Sequence, residues 1–481
     1  MTHRDNNNAE FWRGLLEKGN DEPERINNWN KYLYTQYSQI KSIMPKRNNS
    51  RDGLIETTLI TENDRTRVKE FSIINGPWPD WPQNILESFM NFSNMEIERN
   101  ISLAGRVLIG ADFRNTVFKG WADFRGAVFL GLTHFENARF KGNESIPQVG
   151  NGVVSFRDSV FCNSVYFKNT VFPHITRFDN AINKGNFNFQ EVSFNIKEGF
   201  LAGAFFGNAI FESGADFSKT KFVINTTFEN AGFKDRTSFK EAYFQKNAVF
   251  NNTTFENSIS FRRATFRRPP EFFEARLHED LNLNGIDWSK AERSYKPRHN
   301  DDAATAKIKE RAEKAISAWE GLERIMTQLE KYEMKHVFFR LMKRAERYRD
   351  GWSITTIANL IYGFLSDYGW GIGRSLIWWF GQFIFFAFLL AETASIQANQ
   401  KGIEWSVKIT LNSFLVSFSN SLSFLRLGSA EGHLSDNFDA LKLATNQMGS
   451  IFSTVGTIQA VVGPILLFMV LLTLRNRFRI G

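Results

Sequence analysis

The chain has 481 residues, 49 of them phenylalanine, with a single cysteine and a formal charge of +8. That length calls for several domains. One cysteine, Cys162, excludes an intrachain disulfide and fits a reducing compartment, and the opening MTHRDNNNAE lacks the apolar core of a secretory signal.

Residues 1–100 read as a partly helical leader and cap. Phe11, Leu15 and Leu16 fall on one helical face, and Trp29, Tyr32, Leu33 and Tyr37 repeat that spacing. A Pro-rich stretch at 75–84 marks a boundary.

Residues 101–290 carry a fixed period. Phenylalanine stands at Phe113, Phe118, Phe124, Phe129, Phe135 and Phe140, resumes from Phe156 to Phe178, then runs Phe189, Phe194, Phe200, Phe206 and on to Phe272. Steps of five and six alternate, so the unit is an eleven-residue pair of short turns. Two residues before most rings sits something small or β-branched, as at Ala111, Thr116, Ala122 and Ala127. A helix would need apolar residues three and four apart, and a flat sheet would not turn every five or six. The pattern fits a square-sided β-solenoid, in which each side is a very short strand and successive coils pair through their backbones. Leu277, Leu283 and Trp288 continue the pitch, which places the end of the stack near Trp288. The run 141–152 reads as a looser loop on one corner.

The segments ADFRNTVF, WADFRGAVF, GADFSKTKF and ENSISFRRATF resemble the repeats of the pentapeptide-repeat family, in its phenylalanine-rich branch with alternating five and six spacing. The resemblance implies a right-handed quadrilateral β-helix. It implies little about activity, because one fold serves many functions. Some members of that family are acidic imitations of DNA. Here the repeats hold 23 Lys and Arg against 19 Asp and Glu, too balanced for that role, so no nucleic-acid partner is expected.

Residues 291–365 form a helical linker and juxtamembrane segment. Ile308, Ala312, Ala315, Trp319, Leu322, Met326 and Leu329 step by three and four, the signature of an amphipathic helix. A second helical stretch, His336 to Arg349, is dense in charge and includes Lys343, Arg344 and Arg347. Such a run is either a solvated face or a contact with an anionic membrane surface. The apolar face of 354–365 is suited to the membrane interface.

Residues 366–481 read as two transmembrane helices around an extracytoplasmic loop. Ser366, Asp367, Tyr368 and Gly369 match an element of the membrane-bound branch of the family. Ser375 to Ala391 and Met448 to Leu474 carry no charge. Arg374 before the first span, and Arg475, Arg477 and Arg479 after the second, place both termini in the cytoplasm of an inner-membrane, multi-pass protein. The connecting segment 405–427 is either a re-entrant pore helix or an interfacial helix, with Ser417, Asn420, Ser421 and Ser423 as pore-loop candidates. Along the second span, Ser453, Gly456, Thr457, Gln459, Ala460 and Gly463 are pore-lining candidates and Pro464 is a kink or gate. Close helix packing is the commoner explanation of such small residues. The potassium-filter sequence is missing.

No catalytic constellation, metal-ligand spacing or cofactor fingerprint stands out, so no enzyme, cofactor or metal is expected. The expectation is an oligomeric ion channel or pore with a cytoplasmic solenoid sensor. Two helices alone cannot enclose a conduit, so the channel would be a homo-oligomer. The alternative is a membrane-anchored scaffold whose solenoid faces bind a cytoplasmic protein. An effector that permeabilises the membrane under stress is a third reading.

Overall fold

The computed structural model describes residues 90–98, 100–141, 154–173, 175–194, 202–296, 305–400, 413–414, 416–418, 421 and 449–478. The leader at 1–89 and Phe200 lie outside them. The chain divides into two units, 1–349 and 350–481.

In the first unit, two- and three-residue strands run from β1 (Met90–Asn91) to β31 (Leu281–Asn282). They form four parallel sheets, each taking every fourth strand until the last coil, so a coil has four sides. Ala111 pairs with Thr133 and Thr237 with Ile259, which fixes a coil at 22 residues. The solenoid begins ahead of the expected Ile101, because β1 pairs Met90 with Ala111 and Phe92 stacks on Phe113 at 5.0 Å.

The alternation of five and six comes from two kinds of corner. At the tight corner, Phe113 O accepts from Thr116 N at 3.2 Å, and Asn115 between them has φ 59°. Asn94, Asn137, Asn169 and Asn230 hold the same left-handed position, and Gly105 and Gly126 replace them elsewhere. Asparagine and glycine tolerate that conformation best. The asparagines also form a ladder, with Asn115 Nδ2 donating to Asn94 Oδ1 at 2.9 Å and Asn137 Nδ2 to Asn115 Oδ1 at 3.2 Å. The other two corners are looser. Rings therefore fall five apart across a tight corner and six across a loose one.

Inside, ring lies on ring. Phe113 stacks on Phe135 at 4.7 Å, Phe118 on Phe140 at 4.4 Å and Phe124 on Phe156 at 4.6 Å. These distances match the spacing of paired strands. Rings from adjacent sides meet edge to face, as Phe113 and Phe124 do at 5.9 Å. The small residues leave room for the rings, and buried threonines find backbone acceptors. Thr116 Oγ1 donates to Phe92 O at 2.7 Å, and Thr170 Oγ1 to Phe135 O at 2.7 Å.

One ring is missing, and a neighbour fills its space. Asn183 pairs with Phe161 and Phe211 in the register of a core ring and is buried. Phe187 stands where the adjacent coils have Val165 and Ala215, and its ring lies 5.0 Å from that of Phe211. Core volume is conserved across the exchange.

Two stretches depart from the 22-residue pitch. Val128 pairs with Val160, 32 residues on, and Ser193 with Lys221, 28 residues on. The loop expected at 141–152 lies, beyond Lys141, outside the described residues.

The presumed linker is the lid of the solenoid. A short turn, α1 (Ser289–Glu292), leads to α2 (Thr305–Gln328) and α3 (Tyr332–Asp350). Trp288 stacks on Phe266 at 5.8 Å and meets Trp319 of α2 and Phe338 of α3 edge-on at 5.7 and 5.0 Å. Lys331 Nζ donates to Leu281 O of the last strand at 3.0 Å. A final coil has no successor to cover it, and these helices supply the cover.

The second unit holds α4 (Ile354–Ser366), α5 (Ile372–Gln400) and α6 (Gly449–Phe478). Ser353 caps α4, its Oγ accepting from Thr356 N at 3.1 Å. Helices α5 and α6 pack side by side.

Phe228 is sandwiched between Phe206 at 4.7 Å and Phe250 at 5.1 Å. Phe228→Ala should cost about 3–5 kcal/mol, read as a lower denaturation midpoint of the β-sheet signal. Phe273→Ala, on an exposed ring, should stay within about 0.5 kcal/mol. Equal losses at the two positions would contradict the stacked core.

Candidate functional site

The second unit contains two helices long and apolar enough to cross a membrane, Ile372–Glu392 and Thr454–Phe478. At 1.5 Å per residue they reach about 32 and 37 Å, enough for the hydrocarbon layer. Most of their surface is uncovered by the rest of the chain. The uncovered rows are apolar: Ile377, Ile384 and Phe388 on α5, and Val461, Ile465 and Phe468 on α6. A core helix of a soluble domain would bury such rows.

One end of this hairpin is knotted by Ser366, Asp367, Tyr368 and Gly369. The last three have φ of 49°, 59° and 79°. Ser366 O accepts from the amides of Gly369, Trp370 and Gly371, and Ser366 Oγ donates to Tyr362 O at 2.9 Å. Tyr368 is buried and its hydroxyl donates to Asn359 Oδ1 at 2.9 Å. From the far end of α6, Asn476 Nδ2 donates to Gly369 O at 2.9 Å. A Cβ on Gly369 would lie 2.6 Å from the Tyr362 hydroxyl and 2.9 Å from Asn476 Nδ2. The turn thus joins α4, the start of α5 and the end of α6. Arg374 lies here too, its Nη1 donating to Gly363 O at 3.2 Å. Arg475 and Arg477 flank Asn476 and are exposed.

Deeper in the hairpin is a polar cluster. Ser413, Ser417 and Ser421 stand four apart on one helical face and are buried. Ser417 Oγ donates to Phe383 O at 2.8 Å, and Ser421 Oγ to Ser417 O at 2.9 Å. Gln459 Nε2 of α6 donates to Ser417 O at 2.8 Å and also reaches both hydroxyls. Gln382 Nε2 of α5 donates to Ser421 Oγ at 2.9 Å. Phe383 meets Phe414 and Phe418 at 5.3 and 5.8 Å and flanks the cluster with rings.

The candidates from the sequence therefore separate. Ser417, Ser421, Gln459 and Gly463 come together, and a Cβ on Gly463 would sit 2.7 Å from Ser421 Cα, so close packing requires glycine there. Thr457 is exposed, while Gly456, Ala460 and Pro464 are half-buried. Asn420, Ser423 and Arg479 lie outside the described residues, as does the side chain of Ser453. Lys343, Arg344 and Arg347 belong to the lid of the first unit. Lys343 pairs with Glu346 at 2.9 Å and Arg344 with Glu292 at 3.3 Å. From the sequence, Tyr368 is named within its turn element but Gln382 and Asn476 are not. A polar residue inside an uncharged apolar run was the signal available for Gln382.

In the first unit, Cys162 follows the buried Phe161 on the solenoid wall. Burial pushes its thiol from 9.0 up to about 12, with Lys184 opposing. A thiol in that state is a poor nucleophile. Among the described residues no group of His, Cys, Asp and Glu is placed to hold a metal.

Cys162, half-buried, should resist iodoacetamide at pH 8 in the folded chain and react after unfolding; rapid native labelling would contradict its raised pKa. Between about 9 and 12 the unfolded chain loses a proton that the folded chain keeps, so stability should fall as pH rises through that window. Gly369→Ala should loosen the end of α6, seen as faster hydrogen exchange at 470–478, and unchanged exchange would show that the knot does not hold that end.

The family described as Pentapeptide repeats (9 copies) matches residues 107–143. No curated protein and no solved structure matches the chain.

Proposed function

We propose, starting from a pentapeptide-repeat solenoid joined to two helices able to span a bilayer, that this chain is an integral membrane protein that assembles into an oligomeric ion channel or pore. The solenoid serves as its cytoplasmic sensor. The observation that carries the reading is the serine segment held between α5 and α6 by Gln382 and Gln459. Polar groups at that depth in an apolar hairpin are costly and mark function more often than decoration. The exposed Thr457, with the half-buried Gly456 and Ala460 beside it, is the part of α6 left to face an axis once Gln459 and Gly463 are taken up inside the chain.

Arg374, Arg475 and Arg477 gather at one end of the hairpin, where Asn476 meets Gly369. The positive-inside rule makes that end cytoplasmic, and with it both termini. Helix α4 leaves Ile354, Ile357, Ile361 and Phe364 uncovered along one face. That stripe suits a helix lying in the headgroup layer beside the cytoplasmic end.

A second reading, a membrane-anchored scaffold, draws on the solenoid surface. Tyr166, Asp216, Arg236, Ser238, Ser260 and Asp280 line an open polar groove along one sheet. Side chains in register on a flat wall are well arranged to bind a protein.

The purified full chain in planar bilayers separates the two. Channel function predicts unitary currents that Gly456→Leu lowers by about tenfold or more by crowding the axis, together with a ring-shaped multimer in electron microscopy. A monomer without conductance, with or without the substitution, would leave only the tether.

A further inference from the structure

On the solenoid wall that carries Asn188, Asp216, Ser238, Ser260 and Asn282, each of these outward side chains accepts from the amide two residues on. Gln190 N donates to Asn188 Oδ1 at 3.1 Å, Ser218 N to Asp216 Oδ1 at 2.9 Å and Lys240 N to Ser238 Oγ at 3.4 Å. Arg262 N donates to Ser260 Oγ at 3.3 Å and Asn284 N to Asn282 Oδ1 at 3.0 Å. A side-chain amide that faces a backbone N–H must present its oxygen, so the nitrogens of Asn188 and Asn282 are turned off the wall. Among the described residues neither nitrogen has an acceptor. Asp216 is engaged at both oxygens, since Gln190 Nε2 donates to Oδ2. The wall thus keeps its acceptors for itself and offers donors outward.

The same small side chains form the floor of an open groove of about 640 Å³. Their five rungs are in register and span roughly 19 Å at the spacing of paired strands. Arg236, two residues before Ser238, stands on one edge of the floor. Lys240 and Arg262, two residues after Ser238 and Ser260, stand on the other, and all three are exposed. Among the described residues neither guanidinium has an ion-pair partner, and Lys240 comes no nearer than 3.9 Å to Glu241. Tyr166, stacked on His134 at 5.1 Å, marks one end of the groove, and Asp280 marks the other.

We infer that this groove binds an extended acidic segment of a partner protein. About six residues of extended chain match its length. Consecutive side chains of such a chain point to opposite edges, so two adjacent carboxylates meet Arg236 on one side and Arg262 on the other. Each pair can form two parallel charge-assisted hydrogen bonds. Backbone carbonyls of the segment accept from Asn188, Asn282 and the Ser260 hydroxyl, and its N–H groups stay in water. A phosphate polymer fits less well, because it carries a charge at every unit and would set one against Asp216 or Asp280. The inference rests on the scaffold reading of this groove and holds whether or not the second unit conducts.

The test uses the full chain in detergent and a fluorescein-labelled hexapeptide with two adjacent glutamates among serines and glycines, followed by anisotropy. Its counterpart has glutamines in their place. The glutamate peptide should bind about tenfold or more tightly than the glutamine peptide, and about 0.5 M salt should erase most of that difference. Arg236→Gln and, separately, Arg262→Gln should each weaken the glutamate peptide about threefold or more and leave the glutamine peptide unchanged. Lys221→Gln, on another wall, should change neither. These side chains are exposed, so the melting of the β-sheet signal should not move. Equal binding of the two peptides, blocked by Ser238→Trp, would keep the groove as a protein-binding surface and overturn its preference for acid. Tighter binding of a polyphosphate of matched charge, lost with the same arginines, would overturn the protein partner. Binding of neither peptide would overturn the inference and the scaffold reading of the groove together.

Discussion

Everything in the first unit follows from stacking one phenylalanine on the next at the spacing of paired strands. Phe118 and Phe140 at 4.4 Å, or Phe211 and Phe233 at 4.6 Å, leave no freedom in coil height. A coil must return each ring to the same column after 22 residues, so corners alternate between a tight left-handed turn and a looser one. A lost ring must be replaced from within the same layer, as Phe187 replaces the ring absent at Asn183. The last ring needs a flat aromatic cover, and Trp288, Trp319 and Phe338 provide it.

The second unit obeys a different constraint. Its long helices expose apolar rows, and the amide nitrogens and hydroxyls between them find partners inside the chain. Asn476 and Gly369 meet at one end, and the serines and glutamines meet farther along. The first contact fixes where α6 ends relative to the turn before α5. The second binds a short segment to both helices through a few bonds.

The sequence showed the solenoid because its signal is inward and periodic: the same side chain recurs wherever the same wall recurs. It concealed the defects for the same reason. Phe187 breaks the count yet belongs to the core. Periodicity also announced that α2 is amphipathic without saying what it covers, since one helix face looks alike whether it meets a membrane, a partner or the end of a solenoid. The pairing of Lys343 with Glu346 follows from helical spacing, whereas that of Arg344 with Glu292, 52 residues earlier, only the fold supplies. The candidate site was half legible. Ser417, Ser421, Gln459 and Gly463 could be named from an uncharged span and a serine-rich loop. That they converge, with Gln382 among them, depends on the pairing of helices about 40 residues apart in sequence, which no local pattern encodes.

The account depends most on the second unit lying in lipid. Spin labels placed singly at Ile384, Phe388, Phe468 and Leu471 of the full chain in liposomes test this directly, since these side chains are uncovered in the structure. Embedded helices predict high accessibility to oxygen and low accessibility to a water-soluble nickel chelate at all four. High accessibility to the chelate at these positions, with the chain remaining in the aqueous fraction, would contradict it.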